Sequence, residues 1–212
     1  MLIHMELPMS TEKLDTEIRK EQIAQATLEV IAAKGLAKVS VAAVAKRVGV
    51  VPSALYRHFK GKDEVLDAAM EMILGRLLEN VDAVRAEQDT PLDHLKRLLD
   101  RHIRMVRENR GIPQILLSQD FYAQRPDRRR RVHEGMSAYL ARVGDLVREA
   151  QQVGQADPDL DADTASVIFL GLIQPPAILW HMSNGKFDVD GQAARAWPLF
   201  LRAIESGKAG RP

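Results

Sequence analysis

The chain has 212 residues, of which 46% are hydrophobic, with 30 Lys or Arg against 29 Asp or Glu and a formal net charge of +1. That length suffices for one large domain, or a small one joined to a medium one, with a core of its own, and the composition excludes a disordered chain. With no cysteine there is no disulfide framework, thiolate metal site or cysteine nucleophile, so a cytoplasmic location is the expectation.

Apolar residues recur at intervals of three and four along the whole chain and period-two alternation is almost absent, which predicts an all-α fold of about nine helices. The opening run MLIHMELPMSTEK lacks the basic and apolar regions of a secretory signal, and residues 1–15 read as a flexible arm. A first helix is predicted from about Thr16 to Lys34, with Ile23, Thr27, Val30 and Ile31 on one face and Gly35 as a left-handed stop. Ser40 is a competent N-cap for a short helix carrying Val41, Val44, Ala45 and Val48 on one stripe, closed by Gly49. Pro52 opens a third short helix that runs through Leu55 to about Phe59, and Gly61 breaks it.

A long amphipathic helix follows from Lys62 to about Arg85, then others at about 91–109, 112–124 and 126–153. The Asp-rich stretch 154–163 reads as a loop. Beyond it, a helix at about 162–183 is apolar on nearly every side, which a surface helix of a monomer cannot be, so one face is expected to pack inward and the other against a partner chain. Its longest apolar run, Val167 to Trp180, is shorter than the roughly 20 residues that span a bilayer, so no membrane anchor is expected. Pro175 and Pro176 remove N–H groups that would bond the carbonyls of Gly171 and Leu172, so this helix should kink, either for structural reasons alone or to expose carbonyls to a ligand. A last helix at about 192–205 precedes a frayed tail at 207–212.

Charge is unevenly placed. From Thr16 to Lys62 nine basic residues stand against three acidic, a balance of +6, which leaves −5 for the rest of a chain whose total is +1. A basic module on an acidic body suggests that the module meets a polyanion, although a fluctuation in surface charge would look the same. The spacing of VAAVAKRVGVVPSALYRHF, residues 41–59, is more specific. A helix-turn-helix needs a small residue where two backbones approach, a residue tolerant of left-handed dihedrals in the turn, and apolar residues that lock the pair; Ala45, Gly49, Val50 and Leu55 supply these. Such a unit places its second helix in the DNA major groove.

Residues 16–66 resemble the DNA-binding domain of the tetracycline-repressor family of bacterial transcriptional regulators. The resemblance rests on Lys34-Gly35-Leu36, Ser40-Val41, the run from Val44 to Val50, Leu55-Tyr56-Arg57-His58-Phe59 and Lys62-Asp63-Glu64-Val65-Leu66. It implies a helix-turn-helix domain at 16–62 followed by a helical effector-binding and dimerisation domain at 63–206. Ser40, Tyr56, His58 and Lys62 match positions at which the family contacts phosphates, while Pro52, Ser53, Ala54 and Arg57 lie on or near the start of the recognition helix. Arg57 is the one long side chain there able to form a bidentate contact with guanine, or else a phosphate or intradomain ion pair. Two positions depart from the family pattern: Val51-Pro52 stands where a polar cap is usual, and Ala43 replaces an acidic residue, leaving half a capping box and a helix more prone to fray.

The resemblance further implies a homodimer formed by the last two long helices, with Leu170, Ile178 and Trp180 as candidate interface residues, and a cavity for a small hydrophobic or amphipathic effector. Met105, Phe121, Tyr122, Met136, Tyr139 and Phe169 are candidate cavity residues, each of which could equally be ordinary core. The Arg128–Arg131 run lies between Asp127 and Glu134 and reads as a solvated face. His94 and His102 share a stripe two turns apart, too far for one metal, and neither a cofactor nor a metal is expected. No P-loop, dinucleotide fingerprint or nucleophile elbow is present, so an enzyme is not expected. The reading is a repressor of a palindromic operator released by its effector, with a DNA-binding regulator or activator lacking an effector as the alternative.

Overall fold

The computed structural model describes residues 11–205 apart from position 124, with side chains from Arg19 onward. The described backbone is helical, with no strand beyond an isolated bridge between Ala156 and Glu205. In chain order the helices are α1 (Thr11–Lys34), α2 (Val41–Val48), α3 (Pro52–Tyr56), α4 (Lys62–Arg85), α5 (Pro91–Glu108), α6 (Gly111–Leu116), α7 (Gln119–Tyr122), α8 (Pro126–Gln152), α9 (Ala162–Gly171), α10 (Gln174–Met182) and α11 (Val189–Ile204), with a 3-10 turn at Leu36–Lys38. The expected all-α class, a helix-turn-helix followed by a helical body, is the observed one. Most of the arm expected at 1–15 lies outside the described residues, as does the tail at 207–212; residues 11–15 already belong to α1, which therefore starts earlier than Thr16.

The chain forms two compact units that divide between Met72 and Ile73, inside α4 rather than at its start. In the first unit α2 packs against α1 and α3 against α2. Ile23, Leu28, Ile31, Val41, Val44, Ala45, Leu55, Val65, Leu66 and Ala69 form its core, each 2% exposed or less. The opening turns of α4 thus supply core side chains to the helix-turn-helix, which moves the division downstream. In the second unit α8 lies between α5 and α9. Leu95, Leu98 and Leu99 of α5, Val143, Leu146 and Val147 of α8, and Ala165 and Phe169 of α9 are fully buried.

Three predicted helices of the second unit are revised. The one expected at 112–124 is two short helices, because Ser118 takes an extended conformation and its Oγ accepts the N–H of Phe121 at 3.3 Å, starting α7 anew. The one expected at 162–183 breaks rather than kinks. Leu172 and Ile173 bond back three residues, to Phe169 and Leu170, and the proline pair then occupies the first turn of α10, where missing N–H groups cost nothing. Taken end to end, residues 162–182 are long and apolar enough to cross a membrane by length and composition. The stripe Ala162, Ala165, Ser166, Phe169, Ile173, Pro176, Ala177 and Trp180 is instead buried in the second unit. The last helix starts at Val189 rather than near Gln192, because the Asp188 carboxylate accepts the N–H of Gly191 at 2.9 Å.

The core of the second unit contains a polar pair. His102 Nδ1 lies 3.0 Å from the hydroxyl of Tyr139, both side chains are buried, and the rings meet edge to face. Burial lowers the His102 pKa to about 4 and raises that of Tyr139, so both are neutral at pH 7. The unfolded chain takes up a proton on His102 below its ordinary value of 6.5 while the folded chain does not. Stability contributed by the neutral ring is therefore fully present above pH about 6.5 and is lost as pH falls toward about 4, by roughly 1.4 kcal/mol per unit and about 3 kcal/mol in all. Urea unfolding across that window should show this slope. In His102→Asn the slope should flatten by the same amount, whatever the variant's absolute stability.

Candidate nucleic-acid interface

The first unit builds its helix-turn-helix from local rules. Ser40 is extended and its Oγ accepts the N–H of Ala43 at 3.1 Å, so the N-cap of α2 is in place; Ala43 has no carboxylate to return the bond. At the other end Gly49 adopts φ +82° and ψ +28°, and the N–H groups of Gly49 and Val50 both reach the carbonyl of Ala45 at 3.0 Å. A side chain at Gly49 would be strained in that left-handed conformation, which turns the chain toward α3. Val51 precedes the helix without a side-chain cap, and Pro52 occupies its first turn.

Helix α3 ends at Tyr56 rather than near Phe59. Arg57 keeps helical dihedrals, but His58 and Phe59 both donate to the carbonyl of Leu55 at 2.9 Å and close the segment as a tight turn. Leu55 is 2% exposed and Phe59 6%, whereas Pro52, Ser53, Tyr56, Arg57, His58 and Lys62 are exposed and Ala54 half-buried. The two buried residues hold α3 down. On and just after α3 the exposed side chains are those of Pro52, Ser53, Tyr56, Arg57 and His58, with hydroxyl, phenol, guanidinium and imidazole donors, and Ser40 before α2 and Lys62 at the start of α4 are exposed too. Tyr56, at 56% exposure, is an aromatic ring left in water, as is Val51 at the entry to α3, at 64%. Lys34, Lys38, Lys46, Lys60 and Lys62 are exposed as well. Arg47 is tied to Glu29 of α1, bracing α2 against α1. Glu64 accepts the N–H of Lys60 at 2.8 Å and closes the entry to α4.

The candidate effector residues of the second unit lie mostly in close-packed core. Phe121, Tyr139 and Phe169 are fully buried and Met105 is 7% exposed, while Tyr122 and Met136 are half-buried. Phe169 meets Phe200 edge to face, and Phe121 lies beneath the guanidinium of Arg128 at 4.5 Å. That arginine corrects the reading of the 128–131 run as a solvated face. Arg128 is 2% exposed and donates to the carbonyl of Phe121 at 2.8 Å; Arg130 and Arg131 stay on the surface near Glu134 and Asp127. A cleft of about 420 Å³ opens elsewhere, between the end of α5, the end of α10 and the connection to α11, and none of the six lines it.

The interface candidates lie at different depths. Trp180 is 7% exposed and faces inward, while Leu170 and Ile178 are half-buried flank positions. The apolar side chains that α9 and α10 leave in water are Val167, Ile168, Leu179 and Met182, from 48% to 72% exposed, joined by Leu199 of α11. They were legible as the residues opposite the stripe of small residues and Phe169. Bulk made Trp180 the more conspicuous choice, but a large ring is the side chain a core fills first.

Residues 23–69 match the family model of bacterial regulatory proteins of the tetR family, and residues 88–204 match that of a tetracyclin repressor-like C-terminal domain. The Fatty acid metabolism regulator protein of Bacillus subtilis is 24% identical over 185 residues, covering 87% of this chain and 95% of its own. The HTH-type transcriptional regulator BetI 1 of Chromohalobacter salexigens is 40% identical over 84 residues, 39% of this chain and 42% of its own. Among solved structures, the transcriptional regulator FadR from Bacillus subtilis in complex with stearoyl-CoA superposes with a TM-score of 0.73 at 23% identity, covering 87% of this chain and 99% of its own.

The division of α3 into an anchoring and a free side has a measurable consequence. Leu55→Ala should destabilise the first unit by about 2–5 kcal/mol, and Ser40→Ala by about 1 kcal/mol through loss of the cap. Tyr56→Ala and Arg57→Ala should leave thermal unfolding within about 0.5 kcal/mol of the parent.

Proposed function

This chain belongs to the TetR family of bacterial regulatory proteins, and from that premise we propose that it is a cytoplasmic repressor that binds a palindromic operator as a homodimer and leaves it when a small, largely apolar effector binds. Its relatives are transcriptional regulators, so it is a DNA-binding regulator rather than an enzyme. The observation that carries the reading is the solvent side of α3: Ser53, Tyr56, Arg57 and His58 are held out of the core by Leu55 and Phe59, within a unit of net charge +6 between Thr16 and Lys62. In this reading Ser40, Tyr56, His58 and Lys62 position the protein on phosphates, and Pro52, Ser53, Ala54 and Arg57 meet base edges. Two such surfaces fit one operator only when they lie about 34–36 Å apart, one turn of DNA, or a multiple of it.

The effector enters the interior of the second unit among Met105, Phe121, Tyr122, Met136, Tyr139 and Phe169. A fatty acyl thioester is the first compound to test, because a relative of similar fold was solved with stearoyl-CoA. The signal reaches the first unit through α4, the helix that continues from one into the other. To release DNA the effector must favour the geometry that does not fit the operator, by about 1.4 kcal/mol for each tenfold loss of affinity. Close packing of Phe121, Tyr139 and Phe169 favours a second reading, a DNA-binding regulator without an effector.

The experiment is a selection from random duplexes followed by titration of the selected site. A palindrome is expected, bound less tightly as salt rises because Lys and Arg displace condensed counterions. Tyr56→Ala should weaken all sequences alike, whereas Arg57→Ala should cost about 1–3 kcal/mol and relax one position per half-site. Palmitoyl-CoA should lower operator affinity; unchanged affinity with and without it favours the second reading, and no preference among duplexes overturns the first.

A second copy of the chain covers the apolar face of α9 and α10. Ile168→Asp or Leu179→Asp should convert a micromolar dimer to monomer in sedimentation, since an unpaired charge in a dry interface costs several kcal/mol. The same change at Trp180 should unfold the second unit instead.

A further inference from the structure

The cleft at the end of α5 is not part of the DNA or effector surfaces described above. Its floor is Trp180, the last large buried residue of α10, with the Arg110 guanidinium 5.4 Å from the ring centre. Its outer wall is a firmly built turn. Asn184 and Gly185 take positive φ, +54° and +87°, Gly185 donates to the carbonyl of Trp180 at 2.8 Å, and Ser183 Oγ accepts the N–H of Phe187 at 2.8 Å. Across the cleft, Arg107 pairs with Asp190 at 2.6 Å and joins α5 to the start of α11.

The charges lining this cleft are unevenly committed. Of its carboxylates, Asp190 is held by Arg107, while Asp188, which caps α11, and Glu108 both keep their charge. Of its cations, Arg104 and Lys186 have no ion pair among the described residues, and Arg110 has only the ring of Trp180. The indole N–H of Trp180 has no hydrogen-bond acceptor there either. A methyl group at Gly185 would lie 3.6 Å from Trp180 Nε1 and 3.7 Å from Arg110 Nη2, so two donors flank the same point beside a residue that has no side chain.

We propose that this cleft binds a small molecule bearing a diphosphate or similarly multivalent phosphate group. With Asp190 paired to Arg107, three cations and an indole N–H stand against the two carboxylates of Glu108 and Asp188, a surplus that favours an anion, and donors from several directions suit a tetrahedral phosphate better than a planar carboxylate. At about 420 Å³ the cleft exceeds a bare diphosphate and leaves room for an organic remainder, so the natural ligand is a phosphate ester. Arg104, Arg110 and Lys186 carry the charge, and Trp180 Nε1 and the open side of Gly185 set the position. This assignment stands whether or not an effector enters the apolar interior.

Trp180 makes the site its own reporter, because Trp197 is the other tryptophan and Trp197→Phe leaves Trp180 alone. At constant ionic strength, pyrophosphate should change Trp180 emission saturably, and coenzyme A should do so at lower concentration and be displaced by pyrophosphate. Arg104→Gln with Lys186→Gln, two exposed positions whose replacement should not move thermal unfolding, should weaken both by roughly tenfold or more. A pyrophosphate response without tighter binding of coenzyme A assigns the site to free phosphates rather than esters. The proposal is overturned if pyrophosphate gives no saturable change at millimolar concentration, if the double variant responds like its parent, or if sulfate and citrate act as well as pyrophosphate. Operator affinity is not part of this readout, so failure of the repressor reading would be seen separately.

Discussion

The recognition helix is too short to exist by itself. Five residues make barely more than one turn, and helix nucleation is unfavourable until several turns have formed. What holds α3 is burial of Leu55 and Phe59, aided by a proline that fixes the first backbone angle. Every exposed donor on that helix takes its direction from these two anchors. The same constraint explains why α2 needs a serine cap, a glycine exit and an ion pair to α1: it is the surface on which α3 rests.

The second unit solves a different problem. Residues 162–182 are apolar on two sides, and the structure spends one side on its own core and leaves the other in water. The proline pair decides how. By starting a new helix at Gln174 it keeps Phe169, Ile173, Ala177 and Trp180 on one inward line while Val167, Ile168, Leu179 and Met182 face out. Large exposed apolar side chains on consecutive helices are what a subunit interface requires and what a lone domain avoids.

Polar groups inside this unit are few and mostly matched. Arg128 folds over Phe121 and bonds its carbonyl, and His102 stays neutral against the Tyr139 hydroxyl. These pairs give the interior fixed geometry where apolar side chains alone would allow sliding. The cleft beside Trp180 has the opposite character: Arg104, Arg110 and Lys186 line it without an ion pair among the described residues, and the phosphate site proposed above rests on that contrast.

Much of this was written locally. Ser40, Gly49 and Pro52 announce helix boundaries through caps and dihedral preferences that act within a few residues, and the Val41–Leu55 spacing announces the helix-turn-helix. Fold class, the order of the helices and the exposed donors of α3 therefore followed from sequence alone. Other features depend on which surfaces meet. The amphipathic pattern of α5 could not say that His102 would find Tyr139, 37 residues away, nor could the basic run at 128–131 say that its first arginine would turn inward. A helix apolar on all sides has no preferred face until a neighbour takes one. Trp180 went to the core and Leu179, its neighbour in sequence, to solvent, because rotation about the helix axis is set by packing, and only the tertiary structure supplies the packing.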